Sequence, residues 1–134
     1  MAAGLGSDPL DRTWKGSALE TLLFHELRVY NECRAKHRPL AYYHTAAGTE
    51  IDFIVETRKR QSGSKPSVVC IEVKSAQRWD RSWERAMRDL AAQGAVRIDG
   101  LYGVYLGDRR YRFNDVRVLP MEDFLRALHG GEIF

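Results

Sequence analysis

The spacing of apolar residues changes several times along the chain, and each change predicts a new structural element. Between residues 16 and 36, apolar residues recur every three or four positions, which predicts an amphipathic helix that ends before Pro39. Shorter runs follow, with alternating or continuous apolar residues that predict strands. The later predicted elements are strands over residues 40–44, 50–57 and 67–75, a helix over 79–92, a strand over 100–107, a hairpin over 110–119 and a helix over 121–128.

The order of these elements predicts a mixed α/β sheet flanked by helices. Three successive strands favour a meander, and the helix before the fourth strand favours a crossover to a parallel neighbour. The third strand is almost continuously apolar from Val68 to Val73, as in a strand buried on both faces. We therefore expect one domain over residues 16–134, with its first helix packed across the sheet. Residues 1–15 have no periodicity and are expected to form a flexible leader or linker.

Three charged residues lie on these apolar strands, and their spacing brings them together. Asp52 is near the start of the second strand, and Glu72 and Lys74 are near the end of the third. Because side chains alternate along a strand, Glu72 and Lys74 share one face. The apolar residues that are expected on the opposite faces are Ile51, Phe53 and Val55 in the second strand and Val69, Ile71 and Val73 in the third.

A Glu-x-Lys pair on a strand is most often a solvated surface ion pair. Here, however, the pair ends a strand that is otherwise apolar, and Asp52 lies on a predicted neighbour. Burying charged groups without partners is costly, so such groups in an apolar sheet need a reason. The pattern therefore favours a functional site at the strand ends.

Two further glutamates have alternative interpretations. Glu20 follows Ser17 by three positions, which is the spacing of a capping box at a helix N-terminus. It also lies at the edge of the apolar face of the first helix, where it could reach the sheet. Glu50 shares the predicted face of Asp52 and is either a spare ligand or, more simply, a solvated residue at the rim.

Basic residues form two groups, each with two interpretations. Arg58, Lys59 and Arg60 lie in the loop after the second strand and are either a solvated loop or phosphate contacts. The second helix has an arginine-rich face that could follow phosphates or dock on an acidic patch of a partner. The residues of that face that we consider for nucleic-acid binding are Arg78, Arg81 and Arg85.

Composition and charge set only broad limits. The formal net charge of +3 allows a polyanionic partner without requiring one. Cys33 and Cys70 are too far apart in sequence for a Cys-x-x-Cys motif, which argues against zinc or a disulfide framework. Cys70 lies in the apolar third strand and is expected to be a small buried hydrophobic residue. Without a long apolar run or a signal-peptide pattern, we expect a soluble, cytoplasmic protein.

Several motifs, in this order, resemble the PD-(D/E)XK nuclease superfamily, whose core has an αβββαβ order and a restriction-endonuclease-like fold. More specifically, the chain is similar to the uncharacterised C-terminal domain of many prokaryotic AAA+ ATPases. The motifs that carry this likeness are Gly16-Ser17-Ala18-Leu19-Glu20, Glu26-Leu27, Tyr42-Tyr43-His44-Thr45, Gly48-Thr49-Glu50-Ile51-Asp52-Phe53, Ile71-Glu72-Val73-Lys74-Ser75 and Gly131-Glu132-Ile133-Phe134. In two respects the chain departs from these relatives. They commonly carry Arg where His44 stands, and this chain has no phosphate-binding Gly-x-x-x-x-Gly-Lys-[Ser/Thr], so the ATPase domain is expected to be absent from it.

The resemblance implies a metal-dependent phosphodiester hydrolase that acts on DNA as an endonuclease or exonuclease. Asp52, Glu72, the backbone carbonyl of Val73 and Glu20 would then hold Mg²⁺ or Mn²⁺, which prefer hard oxygen ligands. Lys74 would orient or deprotonate the attacking water and stabilise the transition state.

A second function class stays open. The same fold could serve as a catalytically silent module that docks nucleic acid or protein beside an ATPase, and the chain could also form a homo-oligomer. The presence of Glu20, Asp52, Glu72 and Lys74 together favours the nuclease hypothesis, because a silent domain could lose them freely.

Overall fold

Three α-helices, one short 3-10 helix and six strands make up the described part of this computed structural model, which covers residues 12–44, 50–57 and 65–134, with side chains from 18–41, 50–57 and 65–134. In chain order these elements are α1 (Arg12–Cys33), β1 (Leu40–His44), β2 (Glu50–Glu56), β3 (Ser67–Val73), the 3-10 helix (Arg81–Glu84), α2 (Arg85–Gln93), β4 (Arg97–Tyr105), β5 (Tyr111–Phe113), β6 (Val116–Pro120) and α3 (Met121–His129). The order agrees with the one that the apolar spacing predicts. Most of the predicted leader, residues 1–11, lies outside the described residues.

The six strands form one mixed sheet in the order β1-β2-β3-β4-β6-β5. β1, β2 and β3 are an antiparallel meander, whereas β3, β4 and β6 are parallel neighbours. β5 and β6 form the predicted hairpin, with Asn114 in a left-handed conformation at its turn. The predictions of a mixed α/β sheet and of parallel third and fourth strands are confirmed.

Each face of the sheet has its own apolar core. Leu23 and Leu27 of α1 and Phe124 of α3 pack on one face, and Met87 and Leu90 of α2 pack on the other. All seven residues of β3 are buried, as the apolar run predicts for a strand between two layers. The chain end joins the first core, where Ile133 is buried and the Tyr30 hydroxyl donates a hydrogen bond to the Phe134 carbonyl (2.7 Å). Among the described helices, none has the length and apolar character needed to cross a membrane.

The side chains of β2 depart from regular alternation at Asp52. Beside β1, β2 advances three residues, from Ile51 to Ile54, where β1 advances only two, so β2 contains a β-bulge. Ile51 therefore packs in the core under α2, while Phe53 and Val55 pack in the core under α1. The prediction that these three residues share a face is wrong for Ile51, because one extra residue reverses the alternation.

The first helix begins at Arg12, before the predicted start at Gly16, and ends at Cys33, before the predicted end at Lys36. Ser17 is therefore inside the helix, and the predicted capping box is wrong. Residues 12–15 contain no proline or glycine to stop the helix, and Gly16 in a helix interior costs only about 1 kcal/mol. At the other end, the positive φ of Ala35 (51°) terminates the helical path.

The predicted second helix is split in two. It starts as the 3-10 helix, where the Asp80 carboxylate accepts a hydrogen bond from the Ser82 N–H (2.8 Å), and continues as α2. α2 ends at Gly94, whose φ of 73° suits a glycine. The segment that leaves β3, residues 74–80, leads directly into the 3-10 helix.

Candidate active site

Asp52 and Glu72 meet where the ladder between β2 and β3 ends. Phe53 and Ile71 form the last backbone pair, and beyond it side chains take over the hydrogen bonds. The Asp52 N–H donates to Glu72 Oε1 (3.2 Å), and the Val73 N–H donates to Asp52 Oδ2 (2.8 Å). Each carboxyl group is thus fixed by the backbone of the other strand. The structure therefore places Asp52 and Glu72 next to each other, as their positions on neighbouring strands predict.

Both carboxyl groups of this pair are almost completely buried, with exposed fractions of 7% for Asp52 and 5% for Glu72. Burial, the nearby Asp52 charge and a hydrogen bond to Asp52 raise the pKa of Glu72 to about 9. Burial also raises the pKa of Asp52, although hydrogen bonds from Glu72 and from the Val73 N–H oppose that shift. Without a cation, burial and the proximity of the two groups thus disfavour the ionisation of both carboxyl groups at once.

Lys74 lies beside this pair, directly after β3. Its Nζ is 3.8 Å from Glu72 Oε2 and 5.6 Å from the centre of the Trp83 ring. Its backbone N–H donates to the Val104 carbonyl of β4 (2.8 Å), which holds the residue at the sheet edge. About a third of the side chain is exposed, so the ammonium group adjoins both the carboxyl pair and solvent.

Glu20 projects from α1 toward the same end of the sheet. It is in the third turn of the helix, so the capping role considered for it is wrong. Burial, together with the charges of Asp52 and Glu50, raises the pKa of Glu20 to about 7, while Lys74 opposes the shift. Glu20 is thus close enough to interact electrostatically with the pair, although the structure shows no hydrogen bond between them.

The donor set of the site partly fits a divalent cation. Asp52 and Glu72 are hard oxygen donors that are close together and electrostatically strained, which suits Mg²⁺ or Mn²⁺. Among the described side chains, those of residues 18–41, 50–57 and 65–134, no three His, Cys, Asp or Glu form a group that could hold a metal ion. Two further carboxylates, Glu20 and Glu50, are in electrostatic range of Asp52. The proposed ligand role of the Val73 carbonyl stays a prediction.

The hydroxyl group of Ser75, near the site, has no hydrogen-bond partner among the described residues. Within the described part of the chain, Ser75 Oγ is the buried side-chain oxygen that makes no hydrogen bond. Buried hydroxyl groups are nearly always satisfied by protein or water. Its position one residue after Lys74 therefore favours an ordered water or a polar ligand at this end of β3.

The basic residues considered for nucleic-acid binding are placed differently from one another. Arg58, Lys59 and Arg60 lie outside the described residues. Arg78 and Arg85 are exposed. Arg81 lies 3.7 Å from Glu84 and 4.5 Å from the centre of the Phe113 ring, so it is partly engaged within the fold.

Sequence reasoning missed the group that covers this site. This group consists of Trp79, just before the 3-10 helix, and Trp83 and Glu84 within it. Glu84 is completely buried. The spacing of Glu84 and Arg88 by four positions was an available signal for an ion pair. Nothing in the local pattern, however, indicates that a glutamate at this position has no exposed surface.

A cavity of about 490 Å³ lies at the other end of β4 and does not include the carboxyl pair. Asp99 and Asp115 line it together with Arg112 and Arg117. Because acids and bases balance there, its charge favours neither anions nor cations.

Comparison with known proteins gave one match. A family model described as a domain of unknown function, DUF4143, matches residues 15–124. No curated protein and no solved structure matched the chain.

Proposed function

The chain belongs to the DUF4143 family, and from that premise and the geometry of its site we propose that it is a metal-dependent phosphodiester hydrolase of the PD-(D/E)XK type that acts on DNA. As the resemblance to the C-terminal domain of AAA+ ATPases implies, the domain would work beside such an ATPase. Mg²⁺ or Mn²⁺ is the cofactor that the oxygen donors favour.

The observation that carries the proposal is the buried pair of Asp52 and Glu72 with the Lys74 ammonium 3.8 Å from it. Structural ion pairs neutralise an acid with a base, but here two acids share one base. A divalent cation would relieve the repulsion of two ionised carboxylates. Such a site destabilises the folded state unless it binds a cation.

Hydrolysis of a phosphodiester joins a water oxygen to phosphorus and breaks one phosphorus–oxygen bond, while the leaving oxygen takes up a proton. Asp52 and Glu72 would hold the cation, with Glu20 and the Val73 carbonyl as further ligands. The bound cation supplies charge stabilisation and lowers the pKa of water. Lys74 places a positive charge beside the pair, where it can orient the attacking water and stabilise negative charge on the phosphate.

The alternative is a catalytically silent module that docks nucleic acid or protein. Exposed arginines such as Arg78 and Arg85 would suit that role as well. Under this alternative the carboxyl pair would remain protonated and the exposed arginines would serve binding alone.

The deciding experiment combines thermal unfolding with a DNA cleavage assay, each with and without millimolar Mn²⁺. A cation that binds only the folded state stabilises it by mass action, so we expect a higher Tm with Mn²⁺. Asp52→Ala and Glu72→Ala should abolish that increase, whereas Glu122→Gln, which changes an exposed carboxylate on α3, should retain it. Slow metal-dependent cleavage should disappear in Lys74→Ala.

Two results would distinguish the function classes. A Tm increase without cleavage of any DNA would support the docking module or a need for the ATPase. An unchanged Tm with Mn²⁺, together with parent-like behaviour of all these variants, would contradict the nuclease proposal.

A further inference from the structure

Glu84 is a completely buried carboxylate outside the carboxyl pair, and each of its oxygens has a different partner. Oε2 accepts a hydrogen bond from the Trp79 indole Nε1 (2.8 Å). Oε1 accepts from the Arg88 guanidinium (2.5 Å), which also donates to the Phe113 carbonyl of β5 (3.0 Å). A buried carboxylate needs such partners, because its desolvation without them costs several kcal/mol. The ion pair with Arg88 therefore ties Glu84 to the sheet edge and holds its other oxygen toward Trp79.

Trp79 packs against the strand that neighbours Glu72. In the parallel pairing of β3 and β4, Glu72 is opposite Gly103. A Cβ at Gly103 would lie 2.5 Å from Cη2 of Trp79, so the indole occupies the space that the glycine leaves. The ring also meets Tyr105 edge-on, with centres 6.2 Å apart. Three contacts of different kinds thus determine where the Trp79 ring lies.

Trp83 connects this anchored ring to the site. Its ring meets Trp79 edge-on, with centres 5.1 Å apart and planes at 86°. The Lys74 ammonium lies 5.6 Å from the centre of the Trp83 ring, a distance at which cation–π attraction acts. Lys74 Nζ therefore has a carboxylate on one side and an aromatic ring on the other.

From these contacts we propose that Glu84 is a positioning residue for the site: it fixes Trp79, Trp79 fixes Trp83, and the Trp83 ring holds the Lys74 ammonium beside Glu72. The proposal rests on the proposed role of Lys74 in hydrolysis. A lysine side chain is long and loses considerable conformational entropy when it is held in one place. The two tryptophans provide a rigid surface against which the partly exposed Lys74 side chain can be held.

A merely structural role for Glu84 predicts something different. In that case its loss would lower the stability of the fold and leave the Lys74 side chain where it is. The two roles are therefore separated by a measurement on Lys74 itself, and not by a melting temperature.

The experiment follows the Lys74 ε-methylene protons by NMR in the metal-free protein, where the Trp83 ring current should shift them upfield. Trp83→Leu removes the ring directly. Trp79→Phe removes the indole N–H and keeps an aromatic ring against Gly103. Glu84→Gln keeps the size of the side chain but presents an amide NH₂ to either Trp79 or Arg88, both of which are donors. We expect the upfield shift to be lost in Trp83→Leu and reduced in the other two variants.

Phe124→Leu is the matched control, because Phe124 is fully buried in the core on the opposite face of the sheet. It should lower Tm and leave the Lys74 shift unchanged. An unchanged Lys74 shift in folded Glu84→Gln and Trp79→Phe, with only Tm lowered, would overturn the proposal. So would loss of the shift in Phe124→Leu, since the signal would then report general loosening.

Cleavage kinetics give a second test of the same proposal. Misplacing Lys74 should lower kcat by about 10- to 100-fold in Glu84→Gln, with KM and Mn²⁺ affinity unchanged. An unchanged kcat, or a change in KM or in Mn²⁺ affinity instead, would contradict positioning through Lys74. If Mn²⁺ leaves Tm unchanged and the parent cleaves no DNA while the NMR result stands, the proposed function fails and the positioning of Lys74 by Glu84 holds.

Discussion

At the scale of single residues, the carboxyl groups of the site make the metal-free fold sensitive to pH. Glu72 and Glu20 have pKa values raised to about 9 and about 7, against 4.5 for an ordinary glutamate. The folded state therefore holds more protons than the unfolded state once the pH exceeds 4.5. Stability falls with rising pH wherever the folded state binds more protons. The site thus opposes folding at neutral and alkaline pH unless something neutralises it.

We predict that, in the presence of EDTA, Tm falls as the pH is raised from about 5 to about 9. Glu72→Gln should make this decline much shallower, since an amide cannot ionise, and raise Tm at pH 8 by about 5 °C or more. Thermal unfolding at a series of pH values measures this. Glu122→Gln should keep the slope of the parent, because that carboxylate is exposed. A Tm that rises over this pH range would contradict the burial of the pair.

The two cysteines differ in their exposure to solvent and therefore in the reactivity expected of their thiols. Cys33 is exposed, whereas Cys70 is buried in β3 and its burial raises the pKa of the thiol to about 12. Because the thiolate is the reactive form, we predict that one thiol reacts quickly with Ellman's reagent in the native protein. Cys33→Ser should remove that fast reaction, and Cys70→Ser should leave it. Two equally fast thiols would show that β3 is accessible.

At the scale of elements, the contact between β4 and the segment after β3 closes one side of the site. Gly103 pairs with Glu72, and the Trp79 ring covers it. β4 needs a residue without a side chain there, because the ring approaches the backbone directly. The β-bulge in β2 lies at Asp52 itself, where the extra residue changes the direction of the strand.

We predict that Gly103→Ala destabilises the protein by about 1–3 kcal/mol through overpacking against Trp79. Chemical denaturation measures the change. In a Trp79→Leu background the same substitution should cost far less, because the ring that it strikes is gone. Equal costs in both backgrounds would show that Trp79 does not occupy this space.

At the scale of the whole molecule, the site lies at one end of the sheet, between α1 and the 3-10 helix. Exposed arginines, Arg78 and Arg85, lie on the segment that passes this end, whereas Arg126 lies on α3 at the opposite face of the sheet. If DNA is bound, the charges of Arg78 and Arg85 should contribute to binding, and the charge of Arg126 should not.

We predict that DNA affinity falls steeply with salt, because phosphate contacts release counterions. Arg78→Ala and Arg85→Ala should each weaken binding and reduce the salt slope by about 1. Lys74→Ala should leave binding largely unchanged while it removes cleavage. Arg126→Ala is the control and should behave like the parent in fluorescence anisotropy with labelled DNA. Equal weakening by Arg126→Ala would mean that binding is not confined to this side.

The sequence by itself determined the features that depend on short-range patterns. The apolar run of β3 predicts a strand buried on both faces, and the structure has one. The same period of two places Glu72 beside Lys74, and the meander brings Asp52 to them. These predictions are confirmed because alternation along a strand, and the short links between neighbouring strands, act over a few residues.

Only the tertiary structure decided features that depend on distant partners. Ile51 faces the α2 side because of a bulge against β1, and no local pattern indicates where an extra residue falls. Glu84 is completely buried because Arg88 and Trp79 surround it, although its place among arginines is typical of a solvated helix face. Burial and strand register are set by contacts between residues far apart in the chain, and these determine how the carboxyl pair and Lys74 are enclosed.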